Sequence, residues 1–260
     1  MVTIHVIRHG FFAYLEDIRA PGDGFALFGP THLIILTVLA VFIACMCAAY
    51  IRLEPRKRRV MLMVTALIVF ALELAKQLTF PLIQGHYWVY QLPLHLCGLN
   101  IFLELIYAFF PNKTTGEILY ALGLPGAVAA LLFANWSMYP ILNFYCLQSF
   151  IIHAFLIAFI LMPLVSGELR PQAKNLWRVA AFLLVVVPLI YQINKRLGTN
   201  FFFVNAGSEG SPLEFFVNVF GNPGFLVPYA GLIIVAWFFM YLPWVLANRR
   251  SVHKKILVYK

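Results

Sequence analysis

The chain has 260 residues, 62% hydrophobic, 16% aromatic and only 11% charged, with a mean hydropathy of +0.86; too little polar surface remains to cover a water-soluble core, so lipid is the solvent for much of it. The formal net charge of +9 does not point to a nucleic-acid binder, because the basic residues fall between apolar runs rather than along one element. Four cysteines, with Cys45 and Cys47 inside an apolar run, do not frame a disulfide scaffold.

Residues 1–10 lack the basic and apolar regions of a cleavable signal peptide. Residues 11–29 mix Phe and Leu with Glu16, Asp17, Arg19 and Asp23, so 1–29 read as an N-terminal interfacial segment. Seven runs then approach the roughly 20 apolar residues that cross about 30 Å of hydrocarbon. They are 30–50, 60–80, 92–110, 118–134, 143–165, 176–193 and 224–246. The fourth carries Gly123, Pro125 and Gly126 and is expected to kink or break. The expected fold is all-α: one polytopic helical bundle of about seven transmembrane helices over 30–246, with a basic cytoplasmic tail at 247–260.

Short loops rich in Lys and Arg stay in the cytoplasm. Arg52, Arg56, Lys57, Arg58 and Arg59 follow the first run, Lys113 the third, Arg170, Lys174 and Arg178 the fifth, and Arg249, Arg250, Lys254, Lys255 and Lys260 the last. Arg8, Arg19, Lys195 and Arg196 fall on the other side and Lys76 inside a run. The pattern predicts a multi-pass cell-membrane protein with its N-terminus out and C-terminus in. The segments 84–90 and 135–142 hold no Lys, Arg, Asp or Glu and are rich in aromatic residues, as outer-interface loops often are.

Ionisable groups inside a bilayer cost several kcal/mol unless paired or hydrated, so each is a functional candidate. With about 1.5 Å of rise per residue, Glu73, Lys76 and Gln77 lie in the outer half of the second helix, on one face. Cys97, Asn100 and Glu104 share a face of the third, with Glu104 near the midplane, while His95 is shallow and points elsewhere. Gln148, Ser149 and His153 descend the fifth; Thr31 with His32 opens the first, and Tyr191, Gln192 and Asn194 end the sixth, followed by Gly198, Thr199 and Asn200. The inner halves read as nearly pure Leu, Val, Ile, Ala and Phe. Such a one-sided distribution predicts a polar site in the outer half of the membrane. Each residue also has a plainer role: Glu73 and Lys76 as an intrahelical ion pair, His153 as an interhelical hydrogen bonder, Cys97 as a packing residue and His32 as a boundary residue. No His-x-x-x-His or similar ligand spacing occurs, so neither metal nor other cofactor is expected.

The run Leu92-Pro93-Leu94-His95-Leu96-Cys97 resembles a hallmark of the YwaF family of bacterial membrane proteins. Phe28-Gly29 with His32, Glu73 with Lys76-Gln77, Gly123 to Ala130, Tyr139-Pro140 with Asn143, His153, and Gly198 to Phe201 fit it in order. That family is similar to the eukaryotic transmembrane protein 164 acyltransferases, which move polyunsaturated acyl chains onto ether lysophospholipids with a cysteine and a histidine. The resemblance implies a lipid acyltransferase or other lipid-modifying enzyme, acting on a membrane phospholipid or lysophospholipid, with His95, Cys97 and His153 as catalytic candidates. Glu73, Lys76, Gln77, Asn100, Glu104, Gln148 and Asn200 are then candidates for binding substrate. The alternative is a non-enzymatic carrier of an ion, small molecule or lipid, favoured by the interrupted fourth helix but opposed by the lack of an inverted repeat. A retinal-type photoprotein is excluded by a last run without lysine, since a helix count alone carries no function.

Overall fold

Each of the seven apolar runs is helical in the computed structural model, which describes residues 11–13, 24–84, 89–207 and 211–258. Most of the interfacial segment expected over 1–29, and the centre of the uncharged 84–90 loop, lie outside the described residues. The helices are α1 (Pro30–Arg52), α2 (Pro55–Gln84), α3 (Leu96–Phe109), α4 (Lys113–Leu132), α5 (Phe144–Val165), α6 (Leu176–Leu197), α7 (Pro212–Phe220) and α8 (Leu226–Val258). Six of them are long and apolar enough to span a bilayer; α3, at 14 residues, and α7, at 9, are shorter. No strand occurs among the described residues. The chain is therefore an all-helical, multi-pass membrane bundle.

α5 is the central helix, packing against α1, α2, α3 and α4. Leu156, Ala158, Phe159, Ile160 and Met162 on it are almost wholly buried. α1, α6 and α8 instead present Ile34, Val38, Val41, Leu184, Val185, Leu189, Ile234 and Phe239 outward, an arrangement that suits lipid tails. Between helices in lipid, hydrophobic transfer supplies little net drive, so close packing and polar contacts must hold the bundle.

Two helices depart from the sequence expectation. α3 begins at Leu96 rather than at residue 92, with His95 as an extended N-cap residue. Pro93 has no N–H to give a helix; the chain turns there, with Leu94 N–H donating to Leu92 O (2.7 Å). The turn folds onto Gly98, where a Cβ would meet Pro93 backbone at 2.6 Å. α4 does not break at Gly123-Leu124-Pro125. It widens into a π turn over Leu119–Gly123 and continues; the wider turn accommodates Pro125 near the start of the next segment without ending the helix.

The end bearing the basic loops is not as apolar as the sequence suggests. Glu117 of α4 is buried, its Oε1 accepting from Gln172 N–H (2.8 Å) and Asn175 Nδ2 (2.9 Å) and its Oε2 from Tyr241 O–H of α8 (2.7 Å). Tyr120 O–H donates to Met240 O (2.7 Å) and accepts from Trp244 Nε1 (3.0 Å), while Trp237 Nε1 donates to Ala121 O (2.9 Å). Arg58 caps the end of α1 through Ile51 O and Leu53 O and pairs with Glu168 (3.2 Å), which also accepts from Tyr50 O–H (2.5 Å). Charge alone assigned this end to topology; the structure makes it a clasp. Tyr241→Phe is expected to lower stability by about 1.5–3 kcal/mol, the range for a hydrogen bond to a charged group. Thermal unfolding in detergent measures it, and an unchanged Tm would show that the clasp does not hold α8.

At the opposite end the caps are side chains as well. Asn143 opens α5, its Oδ1 accepting from Tyr145 N–H (2.9 Å) and its Nδ2 donating to Ala13 O (2.8 Å). His32 is a latch rather than a boundary residue: its Nδ1 accepts from Phe28 N–H (3.0 Å) and its Nε2–H donates to Leu131 O (2.9 Å). With both ring nitrogens engaged and no exposure, it joins the start of α1 to the end of α4.

Candidate functional site

The polar residues of α2, α3 and α5 meet near this weakly charged end. On α2, Glu73, Lys76 and Gln77 share one face, as their spacing requires. Lys76 Nζ pairs with Glu73 Oε2 at 2.9 Å, and Gln77 Nε2 donates to Glu73 Oε1 at 2.7 Å. The same amide nitrogen donates to Gln91 O, tying α2 to the turn that leads into α3. The Glu73 carboxylate is thus matched on both oxygens, as a buried charge must be.

Lys76 acts electrostatically on all three catalytic candidates. Its ammonium lies within electrostatic reach of His95, Cys97 and His153. His95 and His153 are in turn within reach of each other, and Glu73 is within reach of His153. Among the described residues no other Lys or Arg stands within the cluster. A positive charge here is suited to stabilising an oxyanion that develops on substrate.

His153 carries the most informative geometry. Its Nδ1 lies 2.6 Å from Ser149 O, one turn earlier on α5. A carbonyl only accepts, so Nδ1 bears the proton and Nε2 carries the lone pair. Nε2 has no hydrogen-bond partner among the described residues. Trp136 stacks on the ring at 5.0 Å with an interplanar angle of 22°, fixing its plane. A histidine with one nitrogen locked to a carbonyl and the other free is arranged as a general base. Trp136, read from sequence only as part of an aromatic outer loop, is the residue that orients it.

His95 sits between Phe201 (5.1 Å) and Phe203 (5.3 Å) of the turn after α6, outside regular helix. Cys97, the second residue of α3, is partly buried and free. Besides Lys76 it lies within electrostatic reach of Glu104 and of Tyr229 on α8. Tyr229 also went unnoticed in the sequence, although a phenol early in an apolar run was its signal.

Asn100 and Glu104 have no exposed surface, and neither the amide of the first nor the carboxyl oxygens of the second has a hydrogen-bond partner among the described residues. Gln148 is buried with an unpartnered Nε2, but it lies about 140° around α5 from His153 by helix periodicity. Asn200 has its amide engaged locally: its Oδ1 accepts from Asn205 N–H (3.1 Å) and Ala206 N–H (3.0 Å), and its Nδ2 donates to Ala206 O (3.0 Å). Its amide organises its own loop. No group of three or more metal-ligating side chains occurs among the described residues.

A family model described as the TMEM164 family matches residues 27–241. Neither a curated protein nor a solved structure matches the chain.

Proposed function

Because this chain belongs to the TMEM164 family of membrane proteins, we propose that the cluster around Lys76 serves a lipid-modifying reaction inside the bilayer, namely transfer of a fatty acyl chain between lipids. One observation carries this reading: the tautomer of His153, locked by Ser149 O with its Nε2 left to accept a proton; the Lys76 ammonium, which acts electrostatically on both His153 and Cys97, supports it. The motif Leu92 to Cys97 supports placing the chain in a YwaF-like bacterial branch. The concentration of basic residues at one end supports a cytoplasmic location for that end, which puts the site in the outer half of the cell membrane.

The Cys97 thiol gives its proton to His153 Nε2, and the sulfur attacks the carbonyl carbon of a donor phospholipid ester. The carbonyl oxygen takes negative charge, which Lys76 stabilises. As the carbonyl re-forms, the bond to the donor's glycerol oxygen breaks and that oxygen takes the proton from His153, leaving a thioester. In the second half a lysophospholipid hydroxyl gives its proton to His153 and attacks the thioester. The C–S bond then breaks, and the thiolate recovers the proton. No cofactor is required.

The test is reconstitution into phosphatidylcholine vesicles containing a lysophospholipid, followed by lipid analysis. Wild type is expected to redistribute acyl chains and Cys97→Ala to lose this while folding normally. Folded wild-type protein that leaves the profile unchanged would sink the reading. The same residues would then favour an ion or headgroup carrier, a reading that the widened turn of α4 supports, because irregular helix in a membrane lines binding sites.

A further inference from the structure

We propose that Asn100 and Glu104 form a subsite that binds the hydroxyl of a lipid alcohol. This deepens the acyl-transfer reading by giving the acceptor a place.

The two side chains are one turn apart on the same side of α3, and Asn100 lies one turn beyond Cys97. Both have no exposure, and all four of their polar atoms lack a partner among the described residues. Buried polar groups are nearly always satisfied, so this much unmet hydrogen-bonding capacity in one place points to a ligand. The opposing wall is built for it. A Cβ on Gly123, at the end of the π turn, would lie 2.8 Å from Asn100 Nδ2 and 3.0 Å from its Oδ1. Only a glycine there lets the amide keep its position, and wide turns of this kind recur at functional sites.

The chemistry of the unmet atoms selects the ligand. The amide of Asn100 both donates and accepts, and Glu104 forms no ion pair with a described cation. An ester or ether oxygen accepts only and brings no donor to Asn100 Oδ1 or to the Glu104 carboxyl oxygens. A quaternary ammonium offers nothing to the amide oxygen. A hydroxyl accepts from Asn100 Nδ2 and donates to either Asn100 Oδ1 or Glu104. Buried one to two turns below the start of α3 and shut off from the surface, that hydroxyl arrives on a lipid.

The experiment compares lipids with a free glycerol hydroxyl, a diacylglycerol and a 1-acyl lysophosphatidylethanolamine, with their O-methyl ethers, by the Tm of the purified full chain in detergent. At least one free alcohol is expected to raise the wild-type Tm by about 5 °C near saturation, and its ether by less than about 1 °C. Which alcohol acts tells a neutral lipid from a lysophospholipid. Asn100→Leu and Glu104→Leu are expected to fold, since replacing an unpaired polar group with an apolar one of similar size is nearly neutral, and to lose the shift. Gly123→Ala, which displaces the amide, should lose it too. Equal shifts from alcohol and ether, no shift from either alcohol, or a shift that survives Asn100→Leu overturns the subsite. A hydroxyl-dependent shift without acyl transfer in vesicles overturns the reaction and leaves the subsite. Transfer that is undiminished in both leucine variants does the reverse.

Discussion

Replacing His153 with Gln is expected to lower acyl transfer about a thousandfold, within the 10²–10⁴ range for losing a general base, and to leave the Tm close to wild type. The ring contributes one hydrogen bond, from Nδ1 to Ser149 O, and a stack with Trp136. The glutamine amide is able to keep a donor near that carbonyl, so fold and base are separable. What glutamine does not supply is a second nitrogen that accepts and returns a proton. Trp136→Leu should produce a smaller loss in kcat with little change in KM, because it frees the ring plane while leaving the base present. A His153→Gln protein that is folded and fully active would remove imidazole from the mechanism.

The second large effect concerns stability. Lys76→Met removes the cation 2.9 Å from a buried carboxylate and leaves Glu73 with only the Gln77 amide. Breaking a buried pair from one side costs about 3–5 kcal/mol, whereas replacing both partners is often close to neutral. The single variant should therefore unfold well below wild type, and Lys76→Met with Glu73→Gln should recover most of the loss. Thermal unfolding of the four members of this cycle gives the coupling energy. The double variant is also informative in vesicles: stability restored with acyl transfer still absent assigns the ammonium to the oxyanion. Stability and transfer restored together make the pair a strut and nothing more.

The spans were legible because lipid imposes length and hydrophobicity on every crossing helix, and all seven runs are helical. The start of α3 was not, since hydropathy through Leu92, Leu94 and Leu96 continues unbroken while Pro93 and Gly98 decide the geometry by a backbone contact. Nor was the continuity of α4 legible: Gly123 and Pro125 signal a break, and a π turn absorbs it. Depth and periodicity put Glu73 with Lys76 on one face and Cys97 and His153 in the same half of the bundle; His95 was expected to point elsewhere, and Lys76 reaches it electrostatically where the chain turns at Pro93 ahead of α3. The clasp on Glu117 was not legible, because its partners Asn175 and Tyr241 lie far along the chain and no spacing relates them to it. Asn200 shows the opposite error: a polar residue beside the right depth band whose amide is held by its own turn.

The shortness of α3 has a mechanical result. Fourteen residues of helix rise about 21 Å, well under the roughly 30 Å of hydrocarbon that the neighbouring helices cross. A bilayer meets such a mismatch by thinning locally. Phe102, Ile106 and Phe109 give α3 an exposed apolar side, so thinning is expected where α3 meets the acyl chains, beside Cys97 at the start of the helix. On the acyl-transfer proposal, such thinning would lower the glycerol oxygens of nearby lipids toward the thiol, so that the membrane itself would help present the ester bond.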